Sequence, residues 1–585
     1  MARTVPDLMM EALERGPDLR SIYWCEGGTW RSQTRSESVA QVSGIARGLA
    51  ERGVGRGVAV AILSNTRPEW AAVDLAILSL RGVTVGIYPT LLPDQIAYQL
   101  RHSGVALAIV EDADQAERLA SVRDQVPSLE EIVVIEPTAG WPSLSELAGP
   151  ADLGWLRERV AEVEPDDVAT HIYTSGTTGK PKAAVLLHRN FVGVVEATRD
   201  LATLGPEDRG VIWLPLAHSL QRFASYRGLL EDGEGWYAES IDKLPEALLA
   251  ARPTVLASVP RMLEKIHHRA HVAVAERGGL AKRLFDRAFA IGHRRLAYLE
   301  RGAPVPWLLE LRWRFWNRLV FRKVRARMGG ALRLLVSGGA ALNPVVARWF
   351  GAMGVIVLEG WGLTETCAPA TCNREDAFRI GTVGRPVPGV ELRIAEDGEI
   401  LVRGPGVFQG YHADPEASAA CMTDDGWFRT GDIGTIDAEG FLRITDRKKE
   451  ILVTAGGKNI APVPIEKRIE RSPYVSQAVV VGSERPYLVA LLVPDDEALD
   501  LFGRQAGLPE GEDLAARVAR PEVRALFEAA VAEANEGLAR FETVKRWCVL
   551  PRTFSVESGE LTPTLKLKRR VVQERHAEDI EALYA

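Results

Sequence analysis

Cysteine is scarce. The 585-residue chain has five, at positions 25, 367, 372, 421 and 548, too few and too scattered for a disulfide framework, so thiols in a reducing compartment are expected. Cys367 and Cys372 form the one close pair, and no second Cys or His pair lies near enough to complete a zinc site. No apolar run reaches the roughly 18 to 20 residues a helix needs to cross a bilayer, and the N-terminal stretch lacks an apolar signal core, so a cytoplasmic protein is expected. Internal repeats and low-complexity tracts are also missing. A net charge of -7 gives no electrostatic footprint for nucleic acid.

What is present is ordinary globular material, 46% hydrophobic and 25% charged, in a chain longer than one hydrophobic core sustains. Two or more domains follow. Apolar runs at Val58 to Leu63, Ala106 to Val110, Glu131 to Ile135, Val211 to Leu214, Thr254 to Val259 and Leu332 to Val336 alternate with helical stretches, which reads as α/β with ligand-binding turns at strand ends. Short strands at Val390 to Ile394 and Glu399 to Val402, set among glycine-rich turns, predict a small β-rich subdomain.

One loop stands out: Thr174, Ser175, Gly176, Thr177, Thr178, Gly179, Lys180, Pro181 and Lys182, behind the apolar Ile172 and Tyr173. Small residues free backbone amides, hydroxyls donate and lysines supply charge, a combination suited to a polyphosphate, here read as ATP. The Walker A pattern fails at two points, with Pro181 after Gly179-Lys180 and Thr174 where the first glycine belongs. Taken alone, the composition of the loop favours a surface turn without a ligand.

The string Tyr-Thr-Ser-Gly-Thr-Thr-Gly-x-Pro-Lys resembles the phosphate loop of the adenylate-forming superfamily of acyl-CoA synthetases, luciferases and adenylation domains, and further matches follow in order. Trp213 to His218 is similar to a segment of long-chain acyl-CoA synthetases in which the histidine lies near the acyl-adenylate, and Arg252 to Lys265 also resembles that branch. Ser337-Gly338-Gly339-Ala340-Ala341 resembles the adenine turn. Gly360-Trp361-Gly362-Leu363-Thr364-Glu365 matches Y-G-x-T-E with Trp361 in place of tyrosine, keeping an aromatic plane without the phenol. Trp427 to Asp432 repeats a motif whose aspartate accepts from the ribose hydroxyls. Asp446 to Glu450 resembles the interdomain junction, Thr454 to Asn459 a glycine loop of the thiol-forming site, and Leu565-Lys566-Leu567-Lys568-Arg569 the late catalytic lysine.

The resemblance implies an α/β fold. A large N-terminal domain of layered α/β subdomains with a small β-rich one spans 1–445, and a small mobile α+β domain spans 446–585, hinged near Lys449. It implies ATP-dependent activation of a long-chain fatty acid through an acyl-adenylate, then transfer to CoA. Lys566, Glu365 and His218 are the candidate catalytic residues, and Thr174 and Glu365 the Mg2+ ligands, a small set that suits an ion sharing its shell with phosphates and water. The nucleotide- and CoA-binding candidates are Thr174, Ser175, Gly176, Thr177, Thr178, Gly179, Lys182, Gly338, Gly339, Ala340, Gly360, Trp361, Gly362, Thr364, Asp432, Arg447, Lys449, Gly456, Gly457 and Lys458. The competing readings are a ligase that loads a carrier protein and a non-catalytic nucleotide-binding protein. The compact spacing from Asp432 to Gly456 favours CoA, and the presence of Glu365 and Lys566 favours catalysis.

The segment 282–327 holds thirteen Lys and Arg against Asp286, Glu300 and Glu310, interleaved with Trp307, Trp313, Phe315 and Trp316. It reads either as an amphipathic helix attached to the inner face of an anionic membrane or as a core helix with a wet arginine face. Oligomeric state stays open, with a homodimer as one form.

Overall fold

The computed structural model describes residues 3–174, 180–455, 458–509, 511–555, 558–562 and 567–585. Two large sheets organise the N-terminal part. In the first, Val168–Thr174, Val83–Ile87, Ala59–Leu63, Leu107–Val110 and Glu131–Val134 run parallel, and Lys182–Leu187 and Gly410–Tyr411 add antiparallel strands beside Val168–Thr174. Ala59–Leu63 and Val83–Ile87 are buried along their whole length, as expected of parallel strands covered on both faces. The second sheet has a parallel centre, Ile356–Trp361, Leu334–Ser337, Val255–Ser258, Arg209–Ile212, Glu234–Tyr237 and Arg20–Glu26, with antiparallel edges. Antiparallel Glu391–Ile394, Glu399–Arg403, Phe428–Ile436 and Leu442–Arg447 make the small β unit that the sequence predicts.

Local chemistry starts the helices. The Thr34 hydroxyl accepts from the Glu37 amide at 3.2 Å while the Glu37 carboxylate accepts from the Thr34 amide at 2.7 Å, a reciprocal cap that opens Arg35–Glu51. That helix and Pro68–Ser79 share one apolar cluster with Val60, Ile62 and Ile109 of the first sheet and Tyr237 of the second, so they form a layer common to both sheets.

Within this layer is a buried polar node. Arg222, on the helix Ser219–Gly228, and Asp74, on Pro68–Ser79, form an ion pair with both side chains almost fully enclosed. Arg222 Nε donates to Asp74 Oδ2 at 3.2 Å and to the Tyr226 hydroxyl at 2.7 Å, and Arg222 Nη1 donates to Thr170 Oγ1 at 2.7 Å. Thr84 donates to Asp74 Oδ1 at 2.7 Å, and Thr170 donates to the Thr84 carbonyl at 2.6 Å. Burial pushes the Tyr226 phenol well above its usual range.

Two sequence expectations shift. The strand read as Val211 to Leu214 is Arg209–Ile212, and the Leu214 amide bonds to the Gln221 side chain instead of a neighbouring strand. The basic segment forms two helices. Gly279–Leu299 ends before the Pro304-Val305-Pro306 break, and Trp307–Trp316 continues through a π-helical turn, Asn317–Phe321, into Arg322–Ala326. Among the described residues, no helix is long and apolar enough to cross a membrane.

Beyond residue 450, Val475–Val481, Leu488–Pro494 and Val544–Val549 form a separate sheet, and its two apolar clusters draw only on residues from Leu452 onward. Contacts to the N-terminal part gather on the helix Pro260–Ala275. Arg261 donates to the Ser476 carbonyl at 2.5 Å, Arg269 pairs with Glu497 at 2.8 Å and Lys467 with Glu264 at 3.4 Å.

Arg222→Met leaves the Asp74 carboxylate buried without a cation, and a loss of about 3–5 kcal/mol in unfolding free energy is expected in urea titration. A loss below about 1 kcal/mol would contradict the node's role.

Candidate active site

The phosphate-loop candidates begin where Val168–Thr174 ends. Thr174 pairs with Lys182 across the hairpin, and its hydroxyl lies 3.4 Å from the Lys182 carbonyl. Ser175, Gly176, Thr177, Thr178 and Gly179 lie outside the described residues. On the far side, Lys180 Nζ stands 5.4 Å from the centre of the Tyr98 ring, and the Tyr98 hydroxyl donates to the Pro181 carbonyl at 3.1 Å. Ala183 is an ordinary buried strand residue paired with Tyr173.

Under the hairpin is a polar cluster that sequence reasoning missed. The Tyr173 hydroxyl donates to the Gln99 carbonyl at 2.8 Å and lies 2.8 Å from Ser103 Oγ and 2.9 Å from His102 Nδ1. His171 Nδ1 is 3.1 Å from Ser103 Oγ, and its ring lies 4.2 Å from that of His412. Burial, reinforced by His412 and His102, drives the His171 pKa down to about 3.

A mostly apolar cavity joins several predicted residues. His218, Gly338, Gly339, Gly360, Trp361, Gly362 and Thr364 line it together with Leu201, Leu204, Leu220, Phe223 and Leu334. His218 caps the helix Ser219–Gly228, its Nδ1 accepting from the Leu220 amide at 3.2 Å. Gly339 has φ +84°, which favours glycine. At Gly362 a Cβ would meet the Ala368 carbonyl at 2.0 Å, so the turn closes only without a side chain. Ala340 is exposed just past this wall.

Glu365 follows in the short 3-10 turn Thr364–Thr366. It is buried, and the Tyr411 hydroxyl donates to its Oε1 at 2.8 Å. Tyr411 also faces Lys182, whose Nζ is 5.3 Å from the ring centre and 3.2 Å from Asp414. Among the described residues no cation pairs with Glu365, and no group of three or more His, Cys, Asp or Glu side chains is arranged to hold a metal ion. A buried carboxylate lacking a cation, with a hydroxyl as its companion in the sequence pattern, fits a hard ion that takes few protein oxygens.

Asp432 is buried and doubly held. The Trp361 indole N–H donates to Oδ2 at 2.7 Å, and Arg447 Nε lies 3.0 Å from Oδ1. The sequence reading gives Trp361 only a stacking plane, whereas here it also fixes the carboxylate 71 positions away. A carboxylate has about four lone-pair sites, so two acceptor directions remain, the number a vicinal diol needs.

The remaining candidates are spread out. Lys449 stands in an exposed turn directly after Leu442–Arg447, and Lys458 is exposed beside Phe541, with its amide donating to Thr454 Oγ1 at 3.2 Å. Gly456, Gly457 and Lys566 lie outside the described residues. Just past Lys566, Arg569 is clamped by Glu466 at 2.6 and 2.8 Å. Tyr411, Asp414 and His171 were not singled out from sequence. Their partners are distant along the chain, and no local pattern marks them.

His171 is neutral in the folded protein and takes up a proton on unfolding below about pH 6.5. The stability this supplies is complete above pH 6.5 and drains as pH falls toward 3. In urea midpoints measured from pH 7 to 4, His171→Asn should flatten the acid-side decline, and a slope identical to that of the parent protein would refute this account.

Comparison with known proteins identifies the family and the fold. Residues 9–412 match the AMP-binding enzyme family and residues 449–585 the AMP-binding enzyme C-terminal domain. A Mycobacterium bovis protein named long-chain-fatty-acid–CoA ligase FadD15 is 39% identical over 565 residues, covering 95% of this chain and 93% of its own. The peroxisomal long chain acyl-CoA synthetase 6 of Arabidopsis thaliana is 33% identical, covering 95% and 82%. Among solved structures, the anthranilate CoA ligase AuaEII with anthranoyl-AMP superposes with TM-score 0.73 at 20% identity, covering 98% of this chain and 97% of that one. ATP-bound MatB of Rhodopseudomonas palustris gives 0.69 at 23%, covering 98% and 99%.

Proposed function

The chain belongs to the AMP-binding enzyme family, and on that premise we propose that it is a long-chain fatty-acid–CoA ligase that activates its acid as an acyl-adenylate. One observation carries the reading: the glycine turns at 338–339 and 360–362 line one mostly apolar cavity together with Leu201, Leu204, Leu220, Phe223 and Leu334. Turns that let a nucleotide approach the backbone and side chains that suit a hydrocarbon therefore border the same space.

A carboxylate is a poor acyl donor because its leaving group would be oxide. Attack of a carboxylate oxygen on the α-phosphorus of ATP expels pyrophosphate, and the thiol of CoA then attacks the acyl carbonyl and expels AMP. In this reading Asp432, steadied by Trp361 and Arg447, accepts from the ribose hydroxyls, and Trp361 stacks on the adenine. His218 borders the acyl-phosphate. Thr174 and Glu365 would hold Mg2+, which supplies charge neutralisation on the phosphates when bound. Lys566 donates to the developing charge during adenylation. We divide the chain at 445/446, with Lys449 in the hinge. Rotation there withdraws Lys566 and brings Gly456, Gly457 and Lys458 to the thiol-forming site, so that one site serves two reactions.

With ATP, Mg2+, CoA and acids from acetate to long-chain fatty acids, AMP and thioester followed by mass spectrometry should peak with the long chains. Adenylate without thioester would move the assignment to carrier-protein loading, and no product with any acid would end the ligase reading. For the lysine, Lys566→Ala should lose adenylate formation by about 10²-fold or more while still converting supplied acyl-adenylate to thioester. Equal loss of both half-reactions would remove Lys566 from this role.

A further inference from the structure

The helix that starts at Trp307 is apolar on two sides. One side faces the protein: Leu309 and Phe321 are buried, Trp313 donates its indole N–H to the Ala352 carbonyl at 2.9 Å, and Val320 and Val324 pack on the large apolar cluster of the second sheet. The other side is uncovered. Trp307, Leu308, Leu311, Phe315 and Leu319 are between 38% and 73% exposed, and the four-residue step from 307 to 319 aligns them in one stripe along the helix. Single exposed apolar residues need no explanation, but a contiguous stripe with two large aromatics does.

Charge narrows the choice of occupant. Arg312, Arg314, Arg318, Arg322 and Lys323 are interleaved with the stripe and exposed. Of these, only Arg314 has a carboxylate within ion-pairing distance among the described residues, Glu310 at 3.5 Å. The thirteen basic against three acidic side chains of 282–327 stand in a chain whose net charge is -7. Cationic charge is thus concentrated around an uncovered apolar stripe. An aqueous protein partner could use either feature. A helix lying in a lipid interface uses both at once, with rings and aliphatic groups among the acyl chains and guanidinium groups at the phosphates.

We infer that the helix Trp307–Ala326 is an interfacial anchor that seats the protein on an anionic phospholipid bilayer, without spanning it. The contact does not depend on which acid is activated, because none of its residues lines the cavity.

Vesicle co-sedimentation of the full chain tests this. Phosphatidylcholine vesicles with about one-third phosphatidylserine should bind at least about tenfold better than phosphatidylcholine alone, and added salt should weaken the binding. Arg312→Glu/Arg318→Glu should lower binding to the anionic vesicles by about fivefold or more per position. Leu311→Ser/Phe315→Ser should lower it comparably by removing inserted apolar surface. Both variants should keep the parent's thermal midpoint and its thioester formation from a water-soluble acid. The inference fails if the parent protein does not sediment with anionic vesicles, if it binds both vesicle types equally, or if both variants bind like the parent. It also fails if the stripe proves to be a self-association surface, shown by a dimer in light scattering that Leu311→Ser/Phe315→Ser dissolves while vesicle binding is absent.

Discussion

The Asp74–Arg222 pair is the constraint on which the site's geometry rests. Arg222 stands four residues after His218 on the helix that borders the cavity, and its Nη1 grips Thr170, four residues before Thr174. One guanidinium therefore ties the cavity wall of the second sheet to the phosphate strand of the first, with Asp74 holding it from the shared helical layer. A planar cation with five donors can meet a carboxylate, a phenol and a hydroxyl together, which a lysine could not do in the same enclosure. Such a buried pair is not strong evidence of stability, since apolar replacements are often as stable. Its use here is positional: it sets the distance between two elements that, in the proposed reading, serve one ligand.

The same logic recurs nearer the chemistry. Tyr411 lies on a two-residue strand paired with Lys182–Leu187, so its hydroxyl reaches Glu365 from the same hairpin that carries the phosphate-loop lysine. Lys182 is in turn occupied by Asp414 and the Tyr411 ring. The candidate metal carboxylate and a candidate phosphate cation are thus fixed relative to each other through one phenol, while Asp414 keeps the lysine charge compensated when no phosphate is near. Trp361 and Arg447 do the corresponding work for Asp432, satisfying part of a buried carboxylate and leaving acceptor sites open.

Much of this was legible in the sequence, for identifiable reasons. Parallel strands buried on both faces are apolar runs, so Ala59–Leu63 and Leu107–Val110 could be read nearly to the residue. The glycine turns were legible because the backbone demands them, as Gly339 and Gly362 show. What could not be read were partnerships across the chain. Arg222 meets a residue 148 positions away, and Glu365 one 46 away. No local pattern marks either. Trp361 was legible as an aromatic ring but not as a donor to Asp432, because that bond exists only once Ile356–Trp361 and Phe428–Ile436 are brought together. The break in the basic segment was visible in Pro304 and Pro306, yet the uncovered stripe was not, since exposure is a property of packing.

The C-terminal part is held in a way that suits the proposed rotation. Among the described residues no apolar cluster includes side chains from both sides of the 445/446 boundary. The contacts on Pro260–Ala275 are charged or polar, and Arg269 and Glu497 are both more than half exposed. The solvated Arg269–Glu497 pair contributes little, whereas Lys467–Glu264 and the Arg261 bond to Ser476 are partly buried, so release exposes polar groups that water can satisfy and opens no apolar cluster. Inside the C-terminal part the reverse holds: Arg569 is enclosed, with Glu466 at both nitrogens, and the helix Arg569–Arg575 that it opens is anchored to the core sheet through the Val480 carbonyl. The C-terminal part is thus packed internally by apolar and buried ionic contacts, while the contacts described above that join it to Pro260–Ala275 are polar. That difference between internal packing and external contacts is what the proposed rotation would require.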